Sequence, residues 1–103
     1  APTWGRFLAW GSVPCGVWPI QTGAKPTKIT AAGSGPIVVV GTTRDPATIY
    51  EWSVRLRGEL ANAVLLTYDG DGHTAYTRSN SCIDRPIDDY YTKGIVPTDG
   101  LKC

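Results

Sequence analysis

Ile37-Val38-Val39-Val40 is an unbroken β-branched run with no polar alternation. A strand of that profile needs cover on both faces, which is the situation of a central strand in a parallel sheet. A second apolar run, Val64-Leu65-Leu66-Thr67, follows it. Parallel neighbours need a crossover, and one helical pattern lies between the runs, from about Ile49 to Leu60. We read Pro36 to Gly41 as the first strand and Ala63 to Thr67 as the second. Asp45-Pro46 ends the first in a turn, because the residue before proline avoids the helical region. Thr48 and Glu51 form a capping box at the helix start. Ile49, Trp52, Leu56 and Leu60 fall on one stripe, Arg55 and Glu59 lie on another face, and Asn62 stops the helix. Together these make a right-handed βαβ unit.

Around that unit the pattern is weaker. Asp69 to Tyr76 reads as a loop punctuated by glycine. Asp84 can cap a final helix, with Pro86 in its first turn and Gly94 just past its end. Ile95 to Cys103 reads as a loop. Residues 1–35 are rich in Trp, Gly and Pro and keep no period of two or 3.6. Trp4, Phe7, Leu8 and Trp10 can form a short helix, Cys15 to Pro19 reads as irregular, and 21–35 as an extended linker. The expectation is an α/β segment at 36–103 with an incomplete sheet, preceded by an irregular lead-in at 1–35.

With 103 residues the chain is one domain at most, with room for a modest core. A net charge of +1 gives no electrostatic argument for nucleic acid or an anionic membrane surface. The longest apolar run falls far short of the ~20 residues of a spanning helix. Ala1-Pro2-Thr3-Trp4 lacks the basic start and apolar core of a signal peptide. Three cysteines are an odd count. Cys82 and Cys103 flank the last helix at a separation that suits a disulfide, which leaves Cys15 over. Three unrelated buried thiols are the alternative. The spacings fit no zinc pattern. The absence of methionine and the terminal cysteine lean toward an oxidising setting outside the cytoplasm.

The chemistry-bearing residues follow the strands. Asp45 comes after the first strand, and His73, the single histidine, comes after the second. Adjacent parallel strands end on the same side, so both residues stand at one sheet edge. Gly70 and Gly72 let the backbone turn around His73. That layout delivers the Asp and His of a Ser-Asp-His triad in α/β-hydrolases. A structural ion pair would look the same at this level. No nucleophile elbow is present. Gly-x-Ser-x-Gly needs glycine two residues either side of serine, and Ser34 has Ala32 and Pro36 there. The nucleophile is therefore expected outside this chain, and the chain by itself is expected to be inactive.

Other features carry bland readings. Asp69-Gly70-Asp71-Gly72 hints at a calcium loop, but the sixth position is Thr74 and the twelfth Asn80, where Gly and Glu are needed. Asp69 and Asp71 read as turn residues bonded to their own backbone. Trp4, Trp10, Trp18 and Trp52 read as core packing, and Asp88 and Asp89 as a solvated helix face. No cofactor or metal is expected.

Pro36 to Thr48, with Thr43-Arg44-Asp45-Pro46 at its centre, resembles the strand and acidic loop of the TAP-like C-terminal domain. That domain closes secreted bacterial α/β-hydrolases of the tripeptidyl-aminopeptidase type. Asp69 to Tyr76 is similar to its histidine loop. Ser79 to Asp84 and Tyr90 to Cys103 are similar to its terminal helix and closing cysteine, and Pro14-Cys15-Gly16-Val17-Trp18-Pro19 to its leading segment. Two positions depart: Ile49 stands where the family has proline, and Arg85-Pro86 replaces better helix formers. The resemblance implies Asp45 as triad acid and His73 as triad base. It implies a Cys82–Cys103 bond, with Cys15 paired to a cysteine outside this chain. It further implies release of short peptides from substrate N-termini through an acyl-enzyme, outside the cytoplasm, with small esters as further substrates. The N-terminal portion of the same hydrolase, or a second copy, is the expected protein partner. A non-catalytic binding or structural module derived from a hydrolase tail is the competing reading. A processed two-chain enzyme is a third.

Overall fold

The computed structural model describes residues 3–20 and 23–103. Ala1 and Pro2 of the expected lead-in, and Gln21 and Thr22 of the expected linker, lie outside them. Seven elements follow in order: α1 (Gly5–Trp10), α2 (Val13–Gly16), β1 (Ile37–Arg44), α3 (Tyr50–Glu59), β2 (Ala63–Asp71), α4 (Ser81–Lys93) and β3 (Leu101–Lys102). The strands form one sheet in the order β1-β2-β3, and both pairings are parallel. The sheet is parallel and incomplete, with helices, but β1, expected to be central, stands at its edge among the described residues, and β2 takes the middle.

Register runs from Ile37 opposite Ala63 to Thr42 opposite Tyr68, then slips so that Arg44 faces Asp71. The extra residue lies in β2, as a bulge beside the loops that carry Asp45 and His73. Such irregularities re-aim the chain where a strand gives way to a site. Both strands run past the ends expected from sequence.

One sheet face meets α4. Leu66, Ala75, Ile83 and Ile87 form the buried core, with Val38, Val40, Val64, Tyr68 and Leu101 packed around it. Ile83 and Ile87 are one helical turn apart, so both point inward. The other face meets α3, where the Tyr50 hydroxyl lies 2.8 Å from Thr67 Oγ1. A Cβ at Gly41 would come within 2.9 Å of both Ser53 Cβ and the Tyr50 ring. The helix therefore sits close on β1 only because residue 41 has no side chain.

Several expectations need correcting. The stripe of α3 is turned outward: Ile49, Trp52 and Leu56 are exposed, and Tyr50, Ser53, Arg57 and Leu60 take the half-buried positions. Thr48 and Glu51 make no capping box; the N-cap of α3 is Ile49, with no side-chain cap. The last helix starts at Ser81. Asn80 caps it through bonds from the Cys82 and Ile83 amides, and Pro86 lies inside it. Asp84 instead accepts the Thr77 N–H at 2.9 Å, which ties down the loop before the helix. The expected tail loop contains β3, and the expected irregular stretch at Cys15 begins in α2. Trp4, Phe7, Trp10, Trp18 and Trp52 are exposed rather than core, with Arg6 stacked 5.0 Å from the Phe7 ring centroid.

The C-terminal tail is fastened by a disulfide, backbone bonds and the contacts of Asp99. Cys82 and Cys103 are joined by a disulfide. Gly100 donates to Leu65 at 2.9 Å, Cys103 to Thr67 at 2.9 Å, and Asp69 to Cys103 at 2.6 Å. Asp99 accepts the Leu65 N–H at 2.8 Å and pairs with Arg57 of α3. Cys15 is exposed and free. Among the described residues no helix is long and apolar enough to cross a membrane.

Candidate active site

Asp45 and His73, separate in sequence, meet at the C-terminal edge of the sheet. His73 Nδ1 lies 3.0 Å from each Asp45 carboxylate oxygen. The Asp45 side chain is only 4% exposed, while that of His73 is 49% exposed. The carboxylate is thus buried behind an imidazole that faces outward.

A buried carboxylate is costly unless its lone pairs are satisfied. Here every one is addressed. Oδ1 accepts the N–H of Ala47 at 2.8 Å and of Thr48 at 2.9 Å. Oδ2 accepts the Thr48 hydroxyl at 2.9 Å and the Thr74 N–H at 3.3 Å. The Asp-Pro step explains the first set. Asp45 precedes a proline with fixed φ, and its side chain reaches amides two and three residues on, as an N-cap residue does. The Thr48 N–H holds the Asp45 carboxyl far below the usual carboxylate range. Burial opposes this, and the Ala47 N–H, His73 and the Thr48 hydroxyl add to it.

An ionised carboxylate only accepts hydrogen bonds. Nδ1 facing two such oxygens must therefore carry the proton. In the neutral imidazole that leaves Nε2 as the lone-pair nitrogen, on the exposed side of the ring.

The histidine loop is held in an uncommon conformation. Gly72 has φ of 112° and Thr74 φ of 68°. A β-branched residue in the left-handed region is strained. That conformation directs the Thr74 N–H toward Asp45. Gly70, expected to help the turn, has a different reason: a Cβ there would overlap the Tyr68 ring.

Asp69 and Asp71 do not bond to their own turn as expected. Arg44 bridges them, at 3.0 Å to Asp69 and 2.8 Å to Asp71. Thr43 donates to Asp69 at 2.9 Å, and Lys102 pairs with it at 2.9 Å. Lys102 first, then Thr43 and Arg44, push the Asp69 carboxyl down to about 2. The ends of all three strands are tied together beside the Asp45–His73 pair. No group of three or more metal-ligating side chains occurs among the described residues.

A cleft of about 240 Å³ opens beside Asp45, lined by Gly41, Thr42, Thr48, Ser53 and Tyr76 among others. The Thr42 hydroxyl is buried there without a hydrogen-bond partner. Sequence reasoning brought Asp45 and His73 to one edge but missed Thr48 as a ligand of the carboxylate. The Asp-Pro-x-Thr spacing was the available signal, since it marks a side-chain-capped turn.

Comparison with known proteins agrees with this architecture. The family model described as TAP-like protein, an α/β-hydrolase family, matches residues 1–103. The chain is 39% identical over 104 residues to carboxylesterase B of Mycobacterium tuberculosis, covering 98% of this chain and 19% of that protein. It is equally similar to the serine protease Hip1 of the same organism, with the same coverage. It is 30% identical over 102 residues to a tripeptidyl aminopeptidase of Streptomyces lividans, covering 98% of this chain and 19% of that protein. The chain spans about a fifth of the length of these relatives. With a family match along its whole length, the chain belongs to the TAP-like family of α/β-hydrolases.

Proposed function

We propose that this chain supplies the acid and base of a serine hydrolase, with Asp45 as the triad acid and His73 as the general base. The nucleophile and the oxyanion donors come from a part of the protein outside this chain. The observation that carries the reading is the buried, fully bonded Asp45 carboxylate with both oxygens 3.0 Å from His73 Nδ1.

The chemistry follows from the tautomer. Nε2 of His73 takes the hydroxyl proton of the serine as its Oγ attacks a substrate carbonyl. Asp45 stabilises the imidazolium that forms and keeps Nδ1 protonated throughout. Nε2 then gives its proton to the leaving amine or alkoxide, and an acyl-enzyme remains. Water, deprotonated by the same nitrogen, releases the acid product. The two chemistries named among the relatives, peptide and ester cleavage, are both acyl transfers of this kind. Removal of short peptides from substrate N-termini is the activity we assign, with esters as secondary substrates.

The partner of this chain is the rest of the same hydrolase. Among the described residues the edge of β1 is unpaired, the stripe Ile49, Trp52 and Leu56 faces outward and the Thr42 hydroxyl has no partner, and all three support a further layer packing here. Exposed Cys15, set among exposed Val13, Val17 and Trp18, is then the link to a cysteine of that part. The Cys82–Cys103 bond supports an oxidising compartment outside the cytoplasm.

The test is made in the full-length protein. Asp45→Asn should lower kcat by roughly 10⁴-fold, because an amide facing Nδ1 favours the wrong tautomer. His73→Ala should lose at least as much while the protein stays folded. Near-normal ester and peptide turnover in a folded His73→Ala variant would remove the assignment.

A further inference from the structure

Thr48 stands one residue before Ile49, the N-cap of α3, and its hydroxyl does not cap the helix. Its Oγ1 donates instead to Asp45 Oδ2 at 2.9 Å, and its N–H donates to Oδ1 at 2.9 Å. One residue thus holds both oxygens of the carboxylate. We propose that Thr48 is a positioning residue for the hydrolase reaction. Its hydroxyl fixes the rotation of the Asp45 carboxylate, so that both oxygens face His73 Nδ1. This rests on the triad reading above.

The two oxygens differ in what else holds them. Oδ1 keeps two backbone donors whatever side chain residue 48 carries. Oδ2 has the Thr48 hydroxyl and, beyond that, only the longer 3.3 Å bond from Thr74 among non-histidine donors. Without the hydroxyl, a nearly buried anionic oxygen would be under-satisfied. The carboxylate would then be free to rotate about its last torsion, which is intrinsically broad. Either change alters the direction and strength of the bond to Nδ1. Misplacement of a reacting group by a fraction of an ångström to 1 Å is enough to matter in catalysis.

The electrostatic consequence has a definite sign. A donor to Asp45 withdraws negative charge from the side facing His73. Removing it leaves a more basic carboxylate, which stabilises the imidazolium, so the acid limb of the kcat/KM profile moves to higher pH. The charged groups on the neighbouring elements are Arg44, Asp69, Asp71 and Lys102, and these are engaged with one another. They stay constant across the variants.

The experiment compares Thr48→Val, Thr48→Ala, Thr48→Ser and Asp45→Asn in the full-length enzyme, with a small activated ester and a short peptide. Loss of the hydroxyl should cut kcat by about 10- to 100-fold with KM little changed. The acid limb should shift upward in both Val and Ala variants, and Ser should recover activity to within a few-fold. The far-downfield Nδ1 proton of His73, read by NMR, should move in Val and Ala and return in Ser. Two hydroxyl-less variants are used so that a packing defect in one does not decide the matter. Wild-type kcat, pH profile and Nδ1 proton in either folded hydroxyl-less variant would overturn the proposal. So would equal losses in Ser and Val with the pH profile unmoved, which is the mark of a structural turn residue. An inactive Asp45→Asn alongside an unaffected Thr48→Val would remove only Thr48, whereas an active Asp45→Asn would remove the triad reading as well.

Discussion

Replacing Cys82 and Cys103 by serine, or reducing the bond between them, is expected to free the C-terminal tail and loosen the loop that carries His73. The bond closes a sequence separation of 21 residues. On the chain-entropy model that restraint is worth about 3 kcal/mol. The strand it secures is only two residues long, Leu101–Lys102. Its backbone is held by the Gly100–Leu65, Cys103–Thr67 and Asp69–Cys103 bonds. At a net ~1 kcal/mol each, these contribute about as much as the bridge does. Loss of the bridge should therefore remove a large share of what holds the tail, with the backbone bonds and the Asp99 and Lys102 contacts left. Native-state hydrogen exchange reads such local opening directly. The Asp69 and Cys103 amides should exchange roughly 100-fold faster in the double-serine variant, since each ~1.4 kcal/mol is a factor of ten. Core amides, such as that of Leu66, should change much less. The effect should reach the site through Lys102, whose Nζ lies 2.9 Å from Asp69, and through Arg44, which pairs with Asp69 and directly precedes Asp45. Unchanged exchange at Asp69 and Cys103 after complete reduction would refute the reasoning. It would mean that the Asp99 contacts to Leu65 and Arg57 hold the tail unaided.

Two further outcomes follow from single contacts. Gly41→Val should destabilise by about 1–3 kcal/mol, because its Cβ would press on Ser53 and Tyr50 at 2.9 Å; chemical denaturation against wild type measures it. Asp69, with a folded-state carboxyl pushed down to about 2, binds protons less readily than in the unfolded chain near 3.9. Its contribution to stability is therefore present above about pH 4 and lost as pH falls toward about 2. Asp69→Asn should flatten that part of a thermal-midpoint profile between pH 5 and 2.

The parallel sheet was legible from the unalternating Ile37–Val40 run, although only Val39 of the four is buried and the other three are half-buried. The meeting of Asp45 and His73 was legible for a related reason, since parallel neighbours bring their C-terminal loops to one edge. What sequence left hidden depended on contacts rather than on period. Nothing periodic marks Leu101 and Lys102 as a strand; a disulfide and the Asp99 contacts place them there. The stripe of α3 was visible but its direction was not. Gly41 lets the helix approach β1 so closely that Tyr50 and Ser53 fit beneath it, while Trp52, 55% exposed, points away. The start of α4 was misread because Asp84 and Asn80 are both good cap residues. Only the structure assigns Asp84 to the Thr77 amide and Asn80 to the helix.

Those misreadings differ in kind from the one at Thr48. A misplaced helix start exchanges one satisfactory cap for another and leaves stability much as it was. Thr48 stands one residue before the N-cap Ile49 and turns its hydroxyl to a side chain in the preceding turn. Thr74 holds φ of 68° against its β-branched side chain, a cost of order 1–3 kcal/mol, and its N–H goes to the same carboxylate. Asp45 itself gives up hydration to stand 4% exposed. These two departures from local preference and the Thr48 contacts thus end on one pair of oxygens. Packing alone provides no reason for that convergence, since an apolar residue at position 45 would fill the same space without it. The proposed triad, in which a carboxylate stays ionised and presents both oxygens to one imidazole nitrogen, provides one, and local rules are expected to fail together where a site is preorganised.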